Sequence, residues 1–224
     1  FHVQHRWLGW DDDGALRFDS PHGAIAVRAA ATVLALGGGS WPQLGSDGAW
    51  QALLGERGVA VAPLAPSNCG FDVAWSPYFA TRHAGAPLKP VIAHWRDAAG
   101  SEHALQGECV VTTTGIEGSL VYALSAELRD AIARHGTATL HLDLAPGRSP
   151  GRLREEPSSP RGARSISEHL RRKAGIEGVK DALLHEALGH PLPADPELLA
   201  RTIKRLPLRL LRARPLAEAI SSAG

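Results

Sequence analysis

The chain has 224 residues, 44% of them hydrophobic and 21% charged, with a formal net charge of +1. A chain of this length and apolarity can bury a sizeable core, which excludes disorder as its default, and the even charge gives no global pull toward nucleic acid or a membrane. Only Cys69 and Cys109 occur, far apart and without a CxxC, so neither a disulfide framework nor a thiolate zinc site is expected, and a reduced cytoplasm fits.

In chain order, Arg6–Trp10, Ala15–Phe18 and Ala24–Val27 read as strands joined by turns at Asp11–Gly14 and Pro21–Gly23, a β-meander. Ala29–Leu36 is a nearly continuous apolar run ending in Gly37-Gly38-Gly39-Ser40, which predicts a strand buried on both faces and followed by a glycine loop. A helix is expected from about Ser46, with Trp50, Leu53 and Leu54 as its apolar face and Gly58 as its stop. From Val59 to about Leu144 the signals are mainly β, interrupted by one helix from Gly118-Ser119 to Gly136 that carries Leu120, Leu124, Leu128 and Ile132 on one stripe. Pro146–Pro160 is rich in Pro, Gly, Ser and Arg and reads as a loop. Helices follow: one opened by the capping box Ser165-Ile166-Ser167-Glu168, one over Val179–Leu188, and one opened by Asp195-Pro196 and closed by Pro207. A last helix is expected from Pro215, with no strand after it. The mixture predicts an α/β protein that is α+β over most of these residues.

No apolar run approaches the roughly 18 residues that a membrane span needs. The N-terminus is not a signal peptide, and the absence of any Met leads us to expect a cut through a longer protein.

Two motifs carry chemistry. Gly37 to Pro42 is a glycine loop whose backbone could approach a cofactor, although it is neither a GxGxxG fingerprint nor, with Pro42 in place of the last glycine, a nucleophile elbow; the other reading is a tight turn. Thr112-Thr113-Thr114-Gly115-Ile116-Glu117-Gly118-Ser119 sets hydroxyls, glycines and an acid before a helix, fit for an electron-rich ligand or simply for a capped turn. His185 and His190 lie five apart, whereas a helix places residues four apart on one face, so no metal site is expected there. The basic set from Arg161 to Lys173 and from Arg201 to Arg214 is interleaved with leucines, as solvated faces of amphipathic elements would be, and no base-stacking motif accompanies it. Cys109 is expected to be an inert buried thiol, whereas Cys69, between Asn68 and Gly70, is left undecided.

Leu34-Ala35-Leu36-Gly37-Gly38-Gly39-Ser40-Trp41-Pro42 followed by Gly45-Ser46-Asp47-Gly48-Ala49-Trp50 resembles a segment of the NAD(P)/FAD-dependent oxidoreductases of the aminoacetone-oxidase-like bacterial flavoprotein group. Further resemblances follow in order: Pro66–Phe71, Gly107-Glu108 with Thr112–Ser119, Pro160-Arg161-Gly162 with Ser165–Arg172, and Ala219–Gly224. The resemblance implies an FAD domain of the two-dinucleotide-binding type, here residues 1–66 and 207–224, interrupted by an inserted substrate domain over 67–206 that is β-rich to 145 and helical from 160. It also implies flanks outside this sequence, namely an N-terminal strand–GxGxxG–helix and a C-terminal glycine-rich segment, without which the chain alone is expected to bind FAD weakly and to be inactive.

By the same resemblance Gly37, Gly38, Gly39, Ser40, Trp41, Pro42, Gly45, Ser46, Asp47 and Gly48 would lie along FAD, Gly115 and Gly118 would approach it from the insert, and Thr114 and Glu117 would be the catalytic polar groups. The implied reaction is hydride transfer between a small organic substrate and flavin. Oxygen, a quinone or NAD(P) remain open as redox partners. A non-catalytic binding module on a flavoprotein-like fold is the alternative, and no nucleic-acid, membrane or metal partner is expected.

Overall fold

The computed structural model describes residues 1–158, 162 and 164–224, with backbone alone for 156–158. They form two compact units, residues 1–66 with 216–224, and residues 67–215.

The first unit opens with the expected meander of Arg6–Trp10 (β1), Leu16–Ser20 (β2) and Gly23–Val27 (β3), antiparallel throughout. Its first turn is made by Asp11, whose carboxylate accepts the amides of Asp13 at 3.0 Å and Ala15 at 2.8 Å. Trp7 meets Trp10 edge-on at 4.8 Å, and the Arg57 guanidinium lies 5.4 Å over Trp10. The strand expected over Ala29–Leu36 is absent: the segment forms no regular element, and Val33 is 89% exposed. An all-apolar strand needs hydrogen-bonded neighbours on both edges, and none of the described strands pairs with it. Trp50–Gly55 (α1) begins later than Ser46, with the Asp47 carboxylate accepting the Ala49 amide at 3.0 Å just ahead of it. Ala65–Ser67 (β4) follows.

The second unit is built on Phe71–Val73 (β5), Pro77–His83 (α2), Pro87–Arg96 (β6), Glu102–Val111 (β7), Gly115–Glu117 (β8), Ser119–Ala123 (α3), Ser125–His135 (α4) and Ala138–Asp143 (β9). Four more helices, Pro150–Ser158 (α5), Ile166–Ala174 (α6), Val179–Leu188 (α7) and Pro196–Lys204 (α8), precede Leu206–Ala213 (β10). Six strands close into an antiparallel barrel in the order β10, β5, β8, β7, β6, β9. Period-two alternation fills its interior: Leu206, Leu208 and Leu210 point inward from β10, and Leu140 and Leu142 from β9, while Pro207 and Arg209 face out. The return expected at residue 207 therefore falls later, because that stretch is the barrel's closing strand.

Two further expectations are corrected. The helix from 118 to 136 is two helices, because the Ser125 hydroxyl donates to the Tyr122 carbonyl at 2.8 Å and accepts the Asn68 amide at 2.9 Å, tying the break to the chain entering the barrel. The expected loop at 146–160 contains α5, opened by Pro150 at a position where proline is tolerated and anchored by the fully buried Leu153. Pro160 and Arg161 lie outside the described residues.

The N-caps expected at Ser165 and Asp195 form, with the Glu168 carboxylate paired to Arg171. Ser165 accepts the Glu168 amide at 3.1 Å, and Asp195 accepts those of Glu197 and Leu198. Two lysines join the helices to the barrel: Lys204 pairs with the buried Asp143, and Lys180 donates to the carbonyls of Pro90 at 2.8 Å and Leu144 at 2.7 Å, its pKa lowered by burial. Among the described residues no helix is long and apolar enough to cross a membrane.

The chain ends in a 3-10 turn at Leu216–Glu218 and a strand, Ser221–Ala223 (β11), paired with β4, where a helix and no strand were expected.

Candidate functional site

In the first unit the glycine loop is held as a small closed turn. Trp41 and Ser46 exchange backbone hydrogen bonds at 3.2 and 3.0 Å around the 3-10 turn Pro42–Leu44, and Gly45 ends that turn with φ of 87°. The segment before β11 and the strand itself pack on this loop: Ser222 accepts the Gly39 amide at 3.1 Å, and the Trp41 indole donates to the Ile220 carbonyl at 3.0 Å. A Cβ at Gly38 would stand 1.9 Å from the Ser222 hydroxyl, and one at Gly39 would stand 2.8 Å from Leu64. Gly48 is similarly close to Leu64, at 3.0 Å. These three glycines are thus needed by the chain's own packing. Gly37 and Gly45 differ in having room: like Gly48 they have left-handed φ, but the first meets nothing nearer than Ser46 at 3.7 Å, and the second meets nothing within 4 Å. Ser40 is buried, while Trp41, Pro42 and Asp47 are not. The backbone at Gly37 and Gly45 is therefore exposed and uncrowded.

In the second unit the threonine run crosses from β7 through a turn into β8, and Gly118 and Ser119 then open α3, so only the last residues of the motif stand at the helix start. Thr112 makes the turn, its hydroxyl accepting the amides of Gly115 at 2.9 Å and Thr114 at 3.3 Å. Gly115 is the tightest position in the barrel, where a Cβ would lie 1.8 Å from the Phe71 carbonyl oxygen of the neighbouring strand. Its own carbonyl takes the Trp75 indole N–H at 3.1 Å. Gly118, with φ of 109°, packs against Cys109, where a Cβ would lie 3.2 Å from that residue's Cα. Both glycines are accounted for by strand packing.

Thr114 and Glu117 are exposed. The Thr114 side chain bonds to Asp72, a β5 carboxylate only 8% exposed that also receives the Nε of Arg212 and, at 2.9 Å, an Nη of Arg214. Burial pushes the Asp72 carboxyl up, but the two arginines and Thr114 outweigh it and hold the group below the usual carboxylate range. Arg212 reaches Asp72 across an irregularity in register between Leu210 and Arg212, and its side chain is 74% exposed. The barrel rim thus presents a guanidinium, anchored from below, beside a threonine hydroxyl. Glu117, on the other end of β8, adds to burial in raising the pKa of Tyr122. Asp72, Arg212 and Arg214 were missed in the sequence; the signal for the first was an acid set inside an otherwise apolar short strand.

Both thiols are buried. Burial raises the pKa of Cys69, whose setting the sequence leaves undecided, and pushes that of Cys109 up to about 12. The rings of His185 and His190, expected apart, are in contact because α7 ends at Leu188 and Gly189 turns the chain back.

Residues 65–221, well over half of the chain and including the whole barrel and the four helices that precede its closing strand, match the family described as HI0933-like protein barrel and H2TH domain. The chain belongs to the HI0933-like family. HI0933-like proteins are flavoproteins related to FAD-dependent oxidoreductases. The closed barrel with its helical appendage is thus the HI0933-like region of this chain, and the glycine loop at 37–48 precedes it in sequence. No curated protein matches the chain.

Proposed function

We propose that this HI0933-like chain serves an FAD-dependent oxidoreductase of the aminoacetone-oxidase-like kind, which exchanges hydride between flavin and a small organic substrate in the bacterial cytoplasm. The match of residues 65–221 to a flavoprotein family is the observation that carries this reading. The residues that would hold FAD are Gly37 and Gly45, whose left-handed backbone stands open, with Trp41, Pro42 and Asp47 beside them in the same loop. Bound flavin supplies the two-electron chemistry. What the chain supplies is position and polarity: Thr114 and Glu117 offer an exposed hydroxyl and carboxylate, and Asp72 fixes Thr114 and Arg212 so that an incoming polar group meets donors already in place.

The test is an absorbance spectrum of the protein expressed from its full gene and reconstituted with FAD. Flavin bands near roughly 370 and 450 nm are expected, with bleaching of the latter when an amine substrate reduces the cofactor anaerobically. A folded protein that stays colourless would sink the oxidoreductase reading. A coloured one that no amine bleaches would remove the amine substrate and leave the flavoenzyme.

A further inference from the structure

Between α2 and α7 lies a cleft of about 620 Å³ whose walls include Phe79, Arg82, Asp181, His185, Glu186 and His190. We infer that His185 and His190 form a binding site for a divalent transition metal ion in this cleft. Four observations lead there.

The Nδ1 atoms of the two imidazoles face each other at 3.2 Å. Two nitrogens on one tetrahedral zinc ion, each roughly 2.0–2.1 Å from it, stand roughly 3.3 Å apart, so the pair is spaced as two ligands of one ion are. The second observation concerns the other side of His185. Its Nε2 lies 3.1 Å from the Ser167 hydroxyl and 3.7 Å from an Asp181 carboxylate oxygen. Ser167 and Asp181 thus hold the outer side of the His185 ring while Nδ1 faces His190, the way ligand histidines are commonly positioned by outer partners.

Third, the remaining oxygen of Asp181, Oδ1, is buried and has no hydrogen-bond partner among the described residues. A carboxylate with a buried oxygen of this kind beside the His185 imidazole is stabilised by positive charge in the cleft. Fourth, carboxylates outnumber guanidinium groups in the cleft wall, Asp181 and Glu186 against Arg82. Glu186 is spent on α2, accepting the Ser76 amide at 2.5 Å and its hydroxyl at 2.8 Å.

Among the described residues no three His, Cys, Asp or Glu side chains converge on one point, so two imidazoles are the protein's ligands and water completes the shell. An ion held this way has open positions facing the cleft. It accepts a small ligand with a nitrogen or oxygen donor. The site forms only because Gly189, with φ of 86°, reverses the chain after α7; on a continued helix the two residues would diverge.

The experiment is a titration of the chelator-treated full protein with Zn²⁺ by calorimetry and with Co²⁺ by visible absorbance. One ion per chain is expected, with cobalt bands of a nitrogen-containing coordination sphere. His185→Ala and His190→Ala should each weaken binding by at least about tenfold, and Asp181→Asn by about tenfold through the orientation of His185. His190→Cys, which restores a ligand, should recover the binding that His190→Ala loses. His5→Ala, which alters the separate exposed pair His2 and His5, should change nothing. Far-UV circular dichroism of each variant establishes that it is folded. Absence of stoichiometric binding, or binding that persists in His185→Ala and His190→Ala, would overturn the site and leave the pair as a plain hydrogen bond. Binding abolished only by His5→Ala would overturn it as well.

Discussion

At the level of single residues, the side chain that organises the barrel rim is Asp72. It is buried, yet three donors converge on it, so its ionised form is favoured by folding. The sign follows directly. A carboxyl whose folded pKa lies below the unfolded value of about 3.9 contributes stability that is fully present above that value and is lost as pH falls through the folded pKa. Asp72→Asn should therefore cost about 2 kcal/mol at neutral pH, the worth of charge-assisted hydrogen bonds exchanged for neutral ones, and the gap to the unmodified protein should close in acid. Urea unfolding of both proteins across the acid range checks this; a gap that stays constant down to about pH 2 would mean that ionisation of Asp72 contributes nothing. This residue was hidden in the sequence for a physical reason. Its partners, Arg212 and Arg214, lie far along the chain in a stretch that reads as one more solvated basic face, and only barrel closure brings the three together.

At the level of elements, legibility tracked how local the determining force is. The starts of α6 and α8 were readable because a cap is a hydrogen bond between residues two or three apart, and Ser165 and Asp195 make those bonds. The run Ala29–Leu36 was misread because apolar continuity shows only that a strand could be buried; whether partners exist is a non-local fact. The helix α5 was missed since Pro150 and Gly151 read as loop, while the burial of Leu153 that holds it comes from packing on α8 and α6. Threonine and glycine between β7 and β8 were seen as a motif, but their reason was not: Gly115 lets the Phe71 carbonyl of β5 pass where a side chain would stand. Gly115→Ala should accordingly cost about 3 kcal/mol, at the upper end of overpacking penalties, while Gly147→Ala, with nothing within 4 Å of its Cβ, should be close to neutral. Thermal and urea unfolding of the two variants side by side decide it. Equal effects would mean that β5 and β8 can part at little cost.

At the scale of the whole molecule, residues 67–215 have their own closed barrel and helical core, with Phe71, Ile116, Leu140, Leu170, Leu183 and Ile203 all fully or almost fully buried. Expressed alone, this stretch should fold with a single cooperative transition and a far-UV spectrum of mixed helix and strand. A broad, uncooperative melt would show that the unit depends on its neighbour. The sequence allowed the β-rich and helical halves to be told apart, yet the barrel itself was not readable, because its closing strand lies beyond all four helices in chain order. That placement shapes how the molecule is made. Leu210 pairs with Val73, and Leu208 with Leu140, so neither edge of the sheet can be sealed until the last of these partners has left the ribosome. During synthesis β5 and β9 wait as bare edges, open to pairing with another nascent chain, until α5 to α8 have been made and β10 follows. Such a long-range closure is slow to find, and it makes yield of soluble protein a property of translation rate and chaperone supply as much as of final stability.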